Sequence, residues 1–201
     1  QSESAKEGKG CQTCHMGRQK ADVVDPKVMR VPDSMVNLHE VPGGHSLDQL
    51  NKALAVTIRP VHAEGQVQLD ITLRNNGAGH SVPTGMPGRR VFLEIRVLTS
   101  EGKTHEEQKS YAETFTDAAG EEITRDSGYF AKGVKLTSDT RIQSGEKRVE
   151  SFRFPLSPAA SADITVKLRY EHSPTGDEEN RTNITFYSEN RTVGPEAARD
   201  R

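Results

Sequence analysis

From about residue 53 onward, apolar and polar side chains alternate with a period of two, as in strands that bury one face. Turn residues such as "AEG", "NNGAG" and "QSGE" separate these stretches. The predicted strands are "ALAVTIRPV", "QVQLDITLRN", "RRVFLEIRVLTS", "SYAETFT", "GVKLTSDTRI", "EKRVESFRFPL", "ADITVKLRYEH" and "TNITFYSEN". Seven or eight short strands at regular spacing predict an antiparallel, Ig-like β-sandwich over residues 53–201, ending in a polar C-terminal tail.

Residues 1–52 lack this alternation and are polar, with frequent glycine and proline. The stretch "SLDQLNKAL" predicts one short helix, because Ser46 can cap its N-terminus and leucines recur on one face. The rest of this segment is expected to be irregular. The chain therefore divides into an N-terminal segment, 1–52, and the sandwich, and its fold class is mainly β.

Composition excludes two classes of partner. The chain has 201 residues, 32% of them hydrophobic and 28% charged, and a formal net charge of -2. Its longest apolar run, "VFLEIRVL", is far shorter than the ~20 residues of a membrane helix, so no membrane span is expected. The charge balance gives no attraction to nucleic acid.

The stretch "KGCQTCHMG" contains both cysteines of the chain. The spacing C-x-x-C-H is the attachment signature of c-type haem, in which Cys11 and Cys14 form thioethers and His15 is the proximal iron ligand. A thioredoxin-like redox pair would need a βαβ setting, structural zinc usually has four ligands, and a disulfide across this spacing would be strained. We therefore predict one covalent haem c, which the irregular N-terminal segment wraps. Such attachment occurs outside the cytoplasm, so a periplasmic or extracellular location is expected.

The second axial ligand has several candidates. The histidines in the Gly- and Pro-rich loops "LHEVPGGHS" and "GAGHSVPTG" can approach a porphyrin closely, whereas the others lie beside charges and are expected to be solvated. The loop histidines are His39, His45 and His80; the others are His62, His105 and His172. The methionines Met29, Met35 and Met86 are alternatives, as is a vacant or water-filled position. Arg89 and Arg90 can pair with haem propionates or solvate a strand edge.

Four stretches together resemble the C-terminal part of a family of bacterial multihaem c-type cytochromes. They are "CQTCHM", "LHEVPGGH", "LRNNGAGHSVPTGMPGRRVFLEI" and "LTSDTRIQSGEKRVESFRF". In that family a last haem segment precedes a β-sandwich, and the resemblance implies haem-ligand positions at His39 and His80. This chain has a single C-x-x-C-H motif, so one of the two is only a packing residue, or serves a haem on a neighbouring subunit, or belongs with an upstream haem-bearing portion.

For the iron at His15 we rank His39 first, His80 second and His45 third. The 23 residues between His15 and His39 are enough to pass around a porphyrin edge, which would make the site self-contained within the N-terminal segment. A haem closed on both faces favours electron transfer between redox partner proteins, or within an assembly with other haem-bearing subunits, over enzymatic turnover. The alternatives are a haem with an open distal site that binds or converts small ligands, and a sandwich that acts as an adhesion or assembly module.

Overall fold

The computed structural model describes residues 6–21, 27, 35–124, 126–132, 135–172 and 182–195. Three short helices lie within these ranges: α1 (Cys11–His15), α2 (Leu47–Ala53) and α3 (Asp126–Ala131). The strands are β1 (Arg18–Lys20), β2 (Met35–Asn37), β3 (Ala55–Ala63), β4 (Gln66–Arg74), β5 (Arg90–Thr99), β6 (Thr104–Tyr111), β7 (Glu113–Thr116), β8 (Lys135–Asp139), β9 (Lys147–Pro155), β10 (Ala162–His172) and β11 (Thr182–Val193). The predicted fold class, mainly β with antiparallel sheets and a short N-terminal helix, is confirmed.

Two antiparallel sheets make up the sandwich. One has the order β3-β4-β9 and the other the order β11-β10-β5-β6. Side chains of β4, β5 and β10 alternate between buried and more exposed positions along most of each strand, so every second residue enters the core. The most deeply buried of them are Val67, Leu69, Ile71, Leu73, Val91, Leu93, Val97, Ile164, Val166 and Leu168.

The middle of the chain departs from the predicted strands. A single strand was expected over "SYAETFT", but β6 begins earlier, at Thr104, and ends at Tyr111, and β7 then pairs with β8 in a separate two-stranded sheet. Strand β6 is an edge strand whose side chains are mostly exposed and polar. It therefore lacks the apolar alternation by which the other strands were recognised.

The N-terminal segment contains its own pair of strands and the predicted helix. Strand β1 pairs with β2, and this places α1 next to residue 38, whose backbone N–H donates to the Gly17 carbonyl at 2.6 Å. The Ser46 hydroxyl caps α2 by accepting from the backbone N–H of Gln49 at 3.5 Å. No helix in the described part of the chain has the length and hydropathy needed to cross a membrane.

Candidate functional site

The two cysteines lie on a single helical turn. Cys11 and Cys14 are three residues apart in α1, so their side chains project from the same side of the helix. Both thiols are free and exposed. The helix begins after Gly10, and a Cβ at that glycine would meet no heavy atom within 4 Å, so this side of the segment is open. The thiols are thus accessible to a flat group that approaches α1.

His15 closes the same helix, and its ring is held by one hydrogen bond. Its Nδ1 lies 2.7 Å from the carbonyl oxygen of Pro42, and because a carbonyl can only accept, Nδ1 carries the proton. In a neutral imidazole the other nitrogen, Nε2, then keeps its lone pair and can bind a metal. Metal-ligating histidines commonly donate their second ring nitrogen to a backbone carbonyl in this way.

The carbonyl that binds His15 follows an unusual backbone conformation. Val41 has a φ of +41°, in the left-handed region that β-branched residues rarely adopt. Such a residue costs about 1–3 kcal/mol and persists where the surroundings fix it. The turn directs the Pro42 carbonyl toward His15, so the strained backbone lies next to the residue that orients the imidazole.

His80 lies opposite His15. The centroids of the two imidazole rings are 6.2 Å apart and their planes differ by only 14°. The Nδ1 of His80 also binds a backbone carbonyl, that of Ser81, at 3.0 Å. Both rings therefore engage a carbonyl through Nδ1, and both keep Nε2 for another partner.

The spacing of this pair suits a metal ion held between the two rings. A metal ion bonded to two imidazole nitrogens at about 2.0–2.1 Å each places the ring centroids about 6 Å apart. The observed distance of 6.2 Å is close to this value. The cysteines, the tautomer of His15 and the ring of His80 together fit an iron porphyrin attached through Cys11 and Cys14.

Helix α2 connects helix α1 to the sandwich. The side-chain amide of Gln49 donates to the carbonyl of Cys14 at 2.9 Å, which ties α2 to α1. At the other end of α2, Gly77 approaches so closely that a Cβ there would lie 1.6 Å from the Lys52 carbonyl oxygen. Gly44 similarly packs on the ring of Tyr170, a core residue of β10. Two glycines thus allow the N-terminal segment to dock directly on the sandwich and on the loop that carries His80.

The other predicted ligands lie in turns, in β2 and in the loop before β5, and exposure does not separate them from His80, which is exposed too. His39 is in the turn after β2, and His45 is in the turn before α2. Met35 in β2 is 49% exposed, and Met86 is half-buried in the loop before β5. Met29 lies outside the described residues. The ring facing His15 is that of His80, which sequence reasoning ranked second.

The two arginines before β5 have different partners. Arg89 folds back on its own loop, where its Nη1 donates to the Thr84 carbonyl at 3.0 Å and its guanidinium lies against Gly85. Arg90 forms an ion pair with Glu122 at 3.2 Å. Arg90 therefore has a carboxylate partner within this chain, while Arg89 closes the loop that follows His80.

The remaining histidines belong to the sandwich. They were expected to be solvated, and this expectation is wrong, because each is half-buried. His62 binds the Gly194 carbonyl at 2.8 Å, and the ring of His105 lies 6.1 Å from that of Phe154. The ring of His172 lies nearly parallel to that of Tyr170, at 6.3 Å between centroids. Charged neighbours in the sequence did not reveal that these rings pack against strand residues.

Comparison with known proteins gives a likeness in fold. The chain matches none of the protein-family profiles and none of the curated proteins. Its fold is similar to that in the crystal structure of a penta-heme cytochrome c552 from Thermochromatium tepidum, with a TM-score of 0.64 and 18% sequence identity. The alignment covers 91% of this chain and 47% of that one, so this chain spans about half the length of the cytochrome. The fold found here is therefore one that a multihaem cytochrome contains.

Proposed function

We propose that this chain is a c-type cytochrome that transfers electrons. The observation that carries the proposal is the pair formed by His15 and His80, whose nearly parallel rings lie 6.2 Å apart next to the helix of the C-x-x-C-H motif. Cys11 and Cys14 would hold one haem c through thioether bonds. The similarity in fold to a penta-heme cytochrome supports the same conclusion.

Each residue of the site has a separate role. When bound, the haem supplies a one-electron iron couple. His15 provides the proximal nitrogen, and the Pro42 carbonyl fixes its tautomer and orientation. His80 would provide the second nitrogen that holds the iron. Because both nitrogen ligands of the iron would come from the chain itself, the site would favour electron relay over the binding and conversion of small ligands.

His80 takes precedence over His39 in this proposal. The reason is the position of the His80 ring, whose centroid lies 6.2 Å from that of His15. His39 and His45 remain exposed groups of the N-terminal segment. With His80 assigned to this iron, His39 would be only a packing residue, or serve a haem on a neighbouring subunit, or belong with an upstream haem-bearing portion.

The surroundings of α1 favour a negatively charged redox partner. Residues 6–21 carry four basic side chains and one acidic side chain, a local charge of +3, although the whole chain has a net charge of -2. The basic residues are Lys6, Lys9, Arg18 and Lys20, all exposed. Lys9 pairs with Glu7 at 2.7 Å, and this hydrogen bond and the lysine charge lower the pKa of the Glu7 carboxyl, so it stays ionised near neutral pH. An exported protein that presents this surface would dock against acidic patches of its partners.

Oxidation by ferricyanide tests both the electron transfer and the local charge. The rate constant for oxidation of the reduced protein should fall as ionic strength rises, because the basic residues around α1 attract the ferricyanide anion and salt screens this attraction. The Debye length falls from about 30 Å at 0.01 M salt to about 3 Å at 1 M. The net charge of the chain alone predicts the opposite trend. Stopped-flow absorbance measures the rate.

Two charge reversals provide the matched comparison. Arg18→Glu should weaken or invert the salt dependence, whereas Lys167→Glu, on an exposed position of β10, should leave it nearly unchanged. Equal effects of the two substitutions would contradict the exit of electrons near α1. An absence of any rapid oxidation would contradict the electron-transfer function itself.

A further inference from the structure

We infer that Asn75 sets the position of His80, acting through the backbone of the loop that carries it. The inference rests on the proposed role of His80 as the second axial ligand. Asn75 follows β4 directly and is fully buried, with 0% of its surface exposed. A buried side-chain amide is costly unless its polar atoms are bonded, so its hydrogen bonds explain why an amide occupies this position.

All polar atoms of the Asn75 side chain have partners near His80. Its Nδ2 donates to the carbonyl of His80 at 2.8 Å and to the carbonyl of Ile142 at 3.0 Å. Its Oδ1 accepts from the backbone N–H of Ala78 at 3.2 Å. One side chain thus holds the loop at two points and joins it to a different part of the chain.

Backbone hydrogen bonds fix the two ends of this loop, which we call the His80 loop (residues 75–82). At the start, the Asn75 N–H donates to the Glu146 carbonyl at 3.0 Å, and the Gly145 N–H donates to the Asn75 carbonyl at 2.8 Å. At the end, Val82 and Ile142 exchange two backbone bonds of 2.9 and 3.0 Å. Between these ends the loop backbone packs on α2 at Gly77 and is also held by side-chain hydrogen bonds.

Two side chains bind the loop backbone here, and the Ser81 hydroxyl of the loop also donates to the side-chain carbonyl of Gln143 at 2.8 Å. Besides Asn75, the Ser144 hydroxyl donates to the Ala78 carbonyl at 3.0 Å. Of the two, Asn75 binds the backbone of His80 itself, the residue whose ring faces His15. A ligand must be held within about 0.5 Å of its productive position, which requires such support behind it. The geometry makes Asn75 a positioning residue and Ser144 a weaker one.

Competition by added imidazole tests this role in the holoprotein. Free imidazole can bind the iron only where His80 releases it, so its apparent affinity for the ferric protein reports how well His80 is held. Asn75→Ala should raise this affinity about 10- to 100-fold, the usual effect of removing a residue that orients a metal ligand. Asn75→Ser, which keeps one donor, should give a smaller increase.

Matched controls separate positioning from general stability. Asn76→Ala, at the exposed neighbouring position, should leave the imidazole affinity as in the unsubstituted protein. In a His80→Ala background, Asn75→Ala should produce no additional change, because the ligand on which it acts is absent. Circular dichroism of each variant verifies that it is folded.

Several results would overturn the inference. One is an unchanged imidazole affinity in folded Asn75→Ala, and another is an increase in the His80→Ala background equal to that in the unsubstituted background. A third is failure of both Asn75 variants to fold, which would make the residue essential to the fold as a whole. A His80→Ala variant with the imidazole affinity of the unsubstituted protein would instead contradict the proposed axial ligand and not the support that Asn75 gives to the loop.

Discussion

Replacing His80 with alanine should convert the ferric haem of the purified protein from low spin to high spin. The ring of His80 is the one that faces His15, and its loss leaves the iron with a single strong-field nitrogen from the chain. His39→Ala and His45→Ala should each leave the haem low spin, because the ring that faces His15 is that of His80. Absorption spectra of the three ferric variants at neutral pH give the comparison.

The three spectra discriminate among the candidate ligands. If only His39→Ala became high spin, His39 would be the second ligand, as the sequence ranking predicts, and the assignment of His80 would be contradicted. Low spin in all three would direct attention to the methionine candidates. Added imidazole should return His80→Ala to low spin, and this rescue distinguishes a missing ligand from a disordered site.

Substituting Gly77 with alanine should cause the largest loss of stability among single conservative changes at the site. A Cβ there would lie 1.6 Å from the carbonyl oxygen of Lys52 and 2.7 Å from its carbon. Both atoms are backbone and cannot rotate away, so α2 must move from the His80 loop. Overpacking of this kind costs about 1–3 kcal/mol and occasionally more.

The effect of Gly77→Ala is measured as a shift in the midpoint of urea unfolding, followed by circular dichroism. Gly194→Ala is the matched control, since a Cβ at Gly194 would meet no heavy atom within 4 Å. Gly77→Ala should also disturb the haem spectrum before global unfolding, because α2 holds the Cys14 carbonyl through Gln49. Equal midpoints for the two variants would contradict the direct docking of α2 on the loop.

The strands of the sandwich interior could be predicted because their residues alternate between apolar and polar along the sequence. In β4 and β5 the apolar residues alternate with polar ones and enter the core, and β10 repeats the pattern. Helix α2 was predictable for a local reason as well, since Ser46 caps it. These features depend on neighbours in sequence.

The parts that the sequence did not reveal depend on contacts between distant residues. Strand β6 is polar and exists because it pairs with β5. The ranking from the sequence favoured His39 because fewer residues separate it from His15 than separate His80 from His15. The approach of His80 to His15 follows instead from the docking of α2 against Gly77. Asn75 gave a weak signal, as the first residue of "NNGAGH", but its bond to the Ile142 carbonyl spans 67 residues.

The central claim is that Cys11 and Cys14 hold one haem covalently, and denaturing mass spectrometry tests it most directly. The chain would be produced in the periplasm of a host that matures c-type cytochromes. We expect the mass of the polypeptide plus one haem, retained after extraction with acidified acetone, and the mass of the bare polypeptide for the Cys11→Ala, Cys14→Ala double variant. The bare polypeptide mass for the unsubstituted chain, with both thiols free, would contradict the account.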